Sequence, residues 1–143
     1  MDRRPLLVDD ILLIRRGPQE PVVALETLAA LTVLWQAPGS GVRATALRVL
    51  EAADVWPAKS VELGSTLGVL AAVAAGYGVG LLPGRYVQPW VAMGAVSAAT
   101  LDATDLYARF ELISAPFSHL GPGARHLYEA LQQPIAPVAE SGL

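Results

Sequence analysis

The chain has 143 residues, enough for one ordinary domain with a single buried core, and its 53% hydrophobic content separates it from disordered sequences. A net charge of −3 and a sequence pI near 5.3 argue against a nucleic-acid surface, because such surfaces neutralise phosphates with clustered Lys and Arg. The absence of cysteine excludes disulfides, thiol nucleophiles and zinc–thiolate sites within this chain, in keeping with an expected cytoplasmic location.

Residues 6–14 read as a strand with Asp9 and Asp10 inside it, closed by the turn residues Arg15-Arg16-Gly17-Pro18. The N-terminus places those two aspartates inside its apolar stretch and lacks a small-residue cleavage site, so no secretory signal is expected. Glu20-Pro21 leads into 22–31, expected to hold a short helix at 24–30, and then into a strand at 32–36. The loop Ala37-Pro38-Gly39-Ser40-Gly41 opens an amphipathic helix at 42–53. Leu47, Val49, Leu50 and Ala53 face inward there, while Arg43, Arg48 and Glu51 stay in water.

The next run, VELGSTLGVLAAVAAGYGVGLLPGRYV at 61–87, changes period twice around glycines. A strand at 59–63 gives way at Gly64-Ser65-Thr66 to an apolar helix reaching Ala75, and after Gly76-Tyr77-Gly78 a second strand, 79–82, ends at Pro83-Gly84. Strand, helix and strand in so short a unit are what a parallel sheet buried on both faces requires. Residues 63–84 carry no charge over a length that can span a bilayer. Six glycines and a proline interrupt the stretch, so a buried crossover is expected rather than a membrane span. A helix at 85–93 capped by Gly94 follows, then a weak Ala-rich strand at 95–103. A stronger strand at 106–115 alternates Leu106, Ala108, Phe110 and Leu112 against Tyr107, Arg109 and Glu111. A helix at 124–132 completes one α/β lobe over 1–133, leaving a Pro-rich tail at 134–143.

Two places share one physical design. At Ser40-Gly41 and at Ser65-Thr66, small hydroxyl residues precede helices that follow strands, so free backbone N–H groups and hydroxyls collect at the strands' carboxyl ends. A helix N-terminus favours negative charge by about 0.3–1 kcal/mol when exposed and up to ~2 kcal/mol when partly buried, which suits a small anion or polar molecule. The competing reading makes these residues helix caps only, worth about 1 kcal/mol each to stability. Neither place has the full glycine spacing of a dinucleotide or P-loop fingerprint. Trp35, just before the APGSG loop, is expected to bring its indole near the same place.

The order strand, short helix, strand, PGSGVR loop, helix, then VELGSTLGVLAAVAAGYGVGLLPGRYV resembles the effector-binding, substrate-binding-like domain of the LysR-type transcriptional regulators. AAVAAGYGVGLLPGRYV is its most specific part, VQPWVAMGAVSAATL looks like the next helix and strand, and the likeness runs from Pro5 to Leu131. It implies a three-layer, doubly wound sheet of the periplasmic-binding-protein lobe type, mainly parallel with an antiparallel hinge strand. It implies that Ser40, Gly41, Ser65 and Thr66 line an inter-lobe cleft, with Gly64 letting the backbone approach and Pro83 near the next strand end. The sequence matches that family's second lobe and both crossing segments. The helix-turn-helix, the linker helix and most of the first lobe have no counterpart, so a fragment or a stand-alone lobe is expected, without operator binding of its own. A lobe with half the cleft would bind its effector weakly. Apolar edges on the hinge strands predict a homodimer or higher oligomer.

Catalytic chemistry is thin. His119 and His126 flank LGPGAR and are too few for a metal site, so no metal or cofactor is expected. Asp102, Asp105 and Glu111 read as solvated charge. Ser40 in PGSGV lacks the first glycine of a nucleophile elbow. A non-enzymatic sensor of a small anionic effector is the expected function, with a pure interaction module and a small enzyme on the same fold as the alternatives.

Overall fold

The computed structural model describes residues 1–134; residues 135–143, nearly all of the expected tail, lie outside the described residues. Its strands are β1 (Asp2–Arg15), β2 (Val22–Ala24), β3 (Thr32–Trp35), β4 (Lys59–Glu62), β5 (Val79–Pro83), β6 (Ser97–Asp102) and β7 (Tyr107–Ser114). Its α-helices are α1 (Gly41–Ala52), α2 (Thr66–Ala74), α3 (Gly84–Ala92) and α4 (Pro122–Leu131), with 3-10 turns at Leu25–Ala30 and Phe117–His119. The chain forms two compact units: Asp9–Ala108, and Met1–Val8 together with the residues from Arg109 onward.

In the larger unit the sheet order is β2-β6-β1-β5-β3-β4. β3 pairs in parallel with both β4 and β5, and β2 with β6, whereas β1 runs antiparallel to β5 and to β6. The expected mainly parallel sheet with one antiparallel strand is therefore present. Two crossovers explain why it is covered on both faces. The path β3–α1–β4 steps one way along the sheet and β4–α2–β5 steps back past β3. Since both parallel connections turn right-handed, α1 and α2 must lie on opposite faces. Two buried clusters record this. Ala46 and Leu50 of α1 pack with Leu25, Leu28, Leu13, Val33 and Leu81, while Val69, Leu70 and Val73 of α2 pack with Val87 of α3 and with Ile14, Leu34 and Leu82. β5 is buried along its whole length, the reason its sequence is continuously apolar instead of alternating.

Several expectations change in detail. β1 begins at Asp2, earlier than the apolar run suggested, and the segment expected as one helix divides into β2 and a 3-10 turn. Leu25 and Leu28, three apart and both buried, supply the helical spacing, but β2 pairs with β6, some 80 residues away, and no local pattern reports that. On α1 the buried positions are Ala46 and Leu50, and Ala53 is exposed because the helix stops at Ala52. Arg43 is not free in water: it is held by the groups described below.

The smaller unit holds the start of β1, the end of β7, the Phe117–His119 turn and α4. The rings of Phe117 and Tyr128 meet at 5.3 Å, and Arg4 and Arg125 lie over Tyr128 and Phe117 respectively. Tyr128 is the one buried apolar residue of this unit among those described, and Val8, Phe110, Ile113 and Leu127 are exposed. Phe110, expected to face inward with Ala108, is therefore a correction. The alternation buries Leu106, just before β7, and Ala108 within it, and lapses where the strand enters the smaller unit. Among the described residues no helix is long and apolar enough to cross a membrane, and no group of His, Asp or Glu could hold a metal ion.

Candidate functional site

The sheet topology marks one end of the larger unit. β3 is followed by a helix on one face, and its two neighbours, β4 and β5, are followed by helices on the other. At the carboxyl end of β3 the connections diverge on both sides, which opens a crevice where open α/β sheets receive ligands. Gln36, buried just past the end of β3, spans that end: its Nε2 donates to the Leu81 carbonyl of β5 at 3.2 Å. On the other side the Leu63 N–H donates to the Trp35 carbonyl at 2.8 Å, tying β3 to the exit of β4.

Three helices begin at this end, and they begin differently. Ser40 caps α1, its Oγ accepting from the Arg43 N–H at 3.3 Å, and Ser65 caps α2, its Oγ accepting from the Gly68 N–H at 3.0 Å. Each serine satisfies one N–H. The other N–H groups of a helix's first turn have no partner within the helix, here those of Gly41 and Val42 in α1 and of Thr66 and Leu67 in α2. α3 has no capping side chain of its own at Pro83. Instead the Asp9 carboxylate, reaching across from β1, accepts from the Arg85 N–H at 3.0 and 3.4 Å. A resident acid thus occupies the start of α3, while α1 and α2 start with neutral hydroxyls.

The glycines that open these two helices stand clear of close packing. A Cβ placed on Gly41 or Gly64 would meet nothing within 4 Å, so packing inside this chain does not demand glycine at either position. The structure brings Ser40, Gly41, Gly64, Ser65 and Thr66 to the same sheet end, with Pro83 buried at the end of β5 beside them. Trp35 differs from its expectation. It is 3% exposed, its indole lies in the core under α1, and its Nε1 donates to Ser60 Oγ at 3.2 Å. Its side chain serves to anchor the strand from which the Ser40 loop departs.

One residue at this end escaped sequence reading. Arg43, in the first turn of α1, donates through one guanidinium nitrogen to the Gln36 carbonyl at 2.7 Å and to Glu62 Oε2 at 2.9 Å. The pair joins the start of α1 to the end of β4. Glu62 is half exposed, so its worth to stability is at most about 1 kcal/mol. Its effect is on charge, since it sets one cation against one anion between the two serine-capped helices. The register Trp35↔Glu62 makes this pairing possible, and only the folded sheet reveals it.

A family model described as the LysR substrate binding domain matches residues 2–135. Among solved structures, the regulatory domain of CcmR from Synechocystis in complex with 2-PG is 18% identical with a TM-score of 0.77, covering 91% of this chain and 64% of that one. The regulatory domain of MetR, a LysR family regulator from N. meningitidis, is 18% identical with a TM-score of 0.69, covering 92% of this chain and 61% of its own. The effector binding domain of QuiR in complex with shikimate is 14% identical with a TM-score of 0.72, covering 93% and 65%. The chain therefore spans 61–65% of the length of these structures, and at such identities the likeness speaks for the fold. No curated protein sequence matches the chain.

Proposed function

This chain belongs to the family of LysR substrate binding domains, and on that premise we propose that it is a non-enzymatic sensing lobe of a transcriptional regulator, binding a small anionic or polar metabolite at the starts of α1 and α2. The observation that carries the reading is the contrast among three helix starts at one sheet end. The acid of Asp9 serves α3, whereas α1 and α2 keep neutral caps, unpaired first-turn N–H groups and glycines beside open space. An anion would complete those two starts as Asp9 completes the third. Ser40, Gly41, Gly64, Ser65 and Thr66 make the contacts in this reading, Pro83 borders them, and Trp35 supports their loop from within the core. Similar solved domains hold 2-PG and, in QuiR, shikimate, itself a carboxylate.

Calorimetric titration of the chain with a panel of small carboxylates, shikimate and benzoate among them, tests this reading. One member of the panel is expected to bind. Gly64→Ala should weaken that binding by about tenfold, close to 1.4 kcal/mol, while leaving the melting temperature where it was, because the new methyl meets no protein atom. Ser65→Ala should weaken binding and also lower stability by about 1 kcal/mol through the lost cap. A carboxylate that binds Gly41→Ala and Gly64→Ala as tightly as the parent chain would overturn the assignment.

A second reading draws on Val8, Phe110, Ile113 and Leu127, large apolar side chains exposed in the smaller unit. Such a surface suits self-association or docking to another protein. This interaction module needs no small ligand. It predicts a dimer by light scattering that stays unresponsive to every carboxylate in the same panel.

A further inference from the structure

At the opposite end of the larger unit, where β3 and β5 begin and β1 finishes, the surface opens into a groove of about 600 Å³. Strand alternation explains its two charged walls. Leu13 of β1 enters the core under α1 and Ile14 the core under α2, so Arg15 and Arg16, the next two residues, continue to opposite faces of the sheet. Arg16 is held in place. Its Nη1 donates to the Ala75 carbonyl at the end of α2, at 3.3 Å, and Gly76, with φ +87, lies so close that a Cβ there would sit 3.2 Å from the same nitrogen. The floor is backbone at the starts of β3 and β5. Gly78 keeps it bare, since a Cβ on it would come within 2.7 Å of the Thr32 carbonyl oxygen. Tyr77, between these glycines and 75% exposed, stands at the rim, and Leu31 adds apolar surface. Among the described residues no carboxylate lies within ion-pairing distance of either arginine.

We infer that this groove is a second binding site, distinct from the crevice at the carboxyl end of β3, and that it takes a small organic anion: a carboxylate beyond the end of β1, where Arg15 and Arg16 border the groove from the two faces of the sheet, with an apolar or aromatic body against Tyr77 and Leu31. Guanidinium groups are planar, permanently charged donors matched to carboxylate geometry. Arg16, already fixed by the Ala75 carbonyl and leaning on Gly76, loses little freedom on binding. Its bond to that carbonyl also offsets the partial negative charge at the end of α2, which would otherwise repel an anion from this wall. A flat ring body gains contact area on Tyr77 and Leu31 that a bare inorganic anion does not.

The test is a titration of the ¹⁵N-labelled chain with 1-naphthoate, with neutral 1-naphthamide as the control, followed by amide chemical shifts. Shifts are expected at Arg16, Gly17, Thr32, Gly76, Tyr77 and Gly78 with 1-naphthoate and much smaller ones with the amide. Arg15→Gln, at a half-buried position, and Tyr77→Ala, at an exposed one, neither part of the other crevice, should each weaken binding by about tenfold without lowering the melting temperature. Equal response to the neutral amide would overturn the inference, as would shifts confined to Gly41, Ser65 and Thr66 or full affinity in both variants. Those last three amides report the crevice separately, so failure there and failure in the groove are read from the same spectra.

Discussion

Gly78 shows how one residue fixes the geometry around it. The close approach of β5 to β3 leaves no room for a side chain, since a Cβ would meet the Thr32 carbonyl oxygen at 2.7 Å and Leu34 at 3.1 Å, and backbone cannot step aside cheaply. Gly78→Ala should therefore destabilise the fold by about 1–3 kcal/mol, the range for forced overpacking, and lower the melting temperature by roughly 3–9 °C. Gly64→Ala, meeting open space, is the matched control. Unchanged melting of Gly78→Ala would mean that the strand start can move. Both glycines stand in the sequence as turn signals of equal rank, and only the folded neighbourhood separates the one that packing demands from the one it does not. The same limit applies to Arg43 and Trp35. Helical spacing puts Arg43 on the polar face but says nothing of the Gln36 carbonyl or Glu62, which approach from separate strands. Trp35 stands one residue before Gln36, and strand alternation sends its ring into the core although its backbone borders the loop.

Elements were the most legible scale. Glycine and proline punctuation together with the change of period placed β5, α2 and α3 to within a residue or two, because those segments are long, apolar and locally bounded. The two serine caps were legible for the same reason, since each bond closes within three residues. The cap of α3 was not: Asp9 lies 76 residues from Arg85 and reads, in sequence, as a charge interrupting a strand. The structure gives that charge a use. Asp9→Ala should cost about 1 kcal/mol, while Asp9→Asn, which keeps an accepting oxygen, should cost less. Urea denaturation of the three proteins measures the difference. Equal stability of Asp9→Ala and the parent chain would show that α3 starts without help from β1. β2 was missed because three residues carry too little pattern, and its pairing with β6 depends on where the sheet's far edge falls.

At the scale of the molecule, a parallel sheet buried on both faces and the end at which its strands deliver their helices followed from the order strand, helix, strand, and the doubly wound form from the family resemblance. The division into two units did not, because β1 and β7 each read as one continuous strand while contributing to both. Every buried apolar residue described, Tyr128 excepted, belongs to Asp9–Ala108. Stability should be distributed accordingly. Hydrogen exchange is expected to show amides of β3 and β5 protected near the global limit, with those of α4 and the end of β7 opening at lower free energy. Uniform protection across both units would contradict this. A further consequence concerns synthesis on the ribosome. The smaller unit joins Met1–Val8 to residues from Arg109 onward, so Met1–Val8 must wait for about a hundred more residues to be made, roughly 5–20 s at ordinary elongation rates. Closing a loop of that length costs about 4 kcal/mol of chain entropy, which the intervening Asp9–Ala108 unit largely removes by folding first. Folding of the sheet-bearing unit thus brings together the two segments of the smaller one.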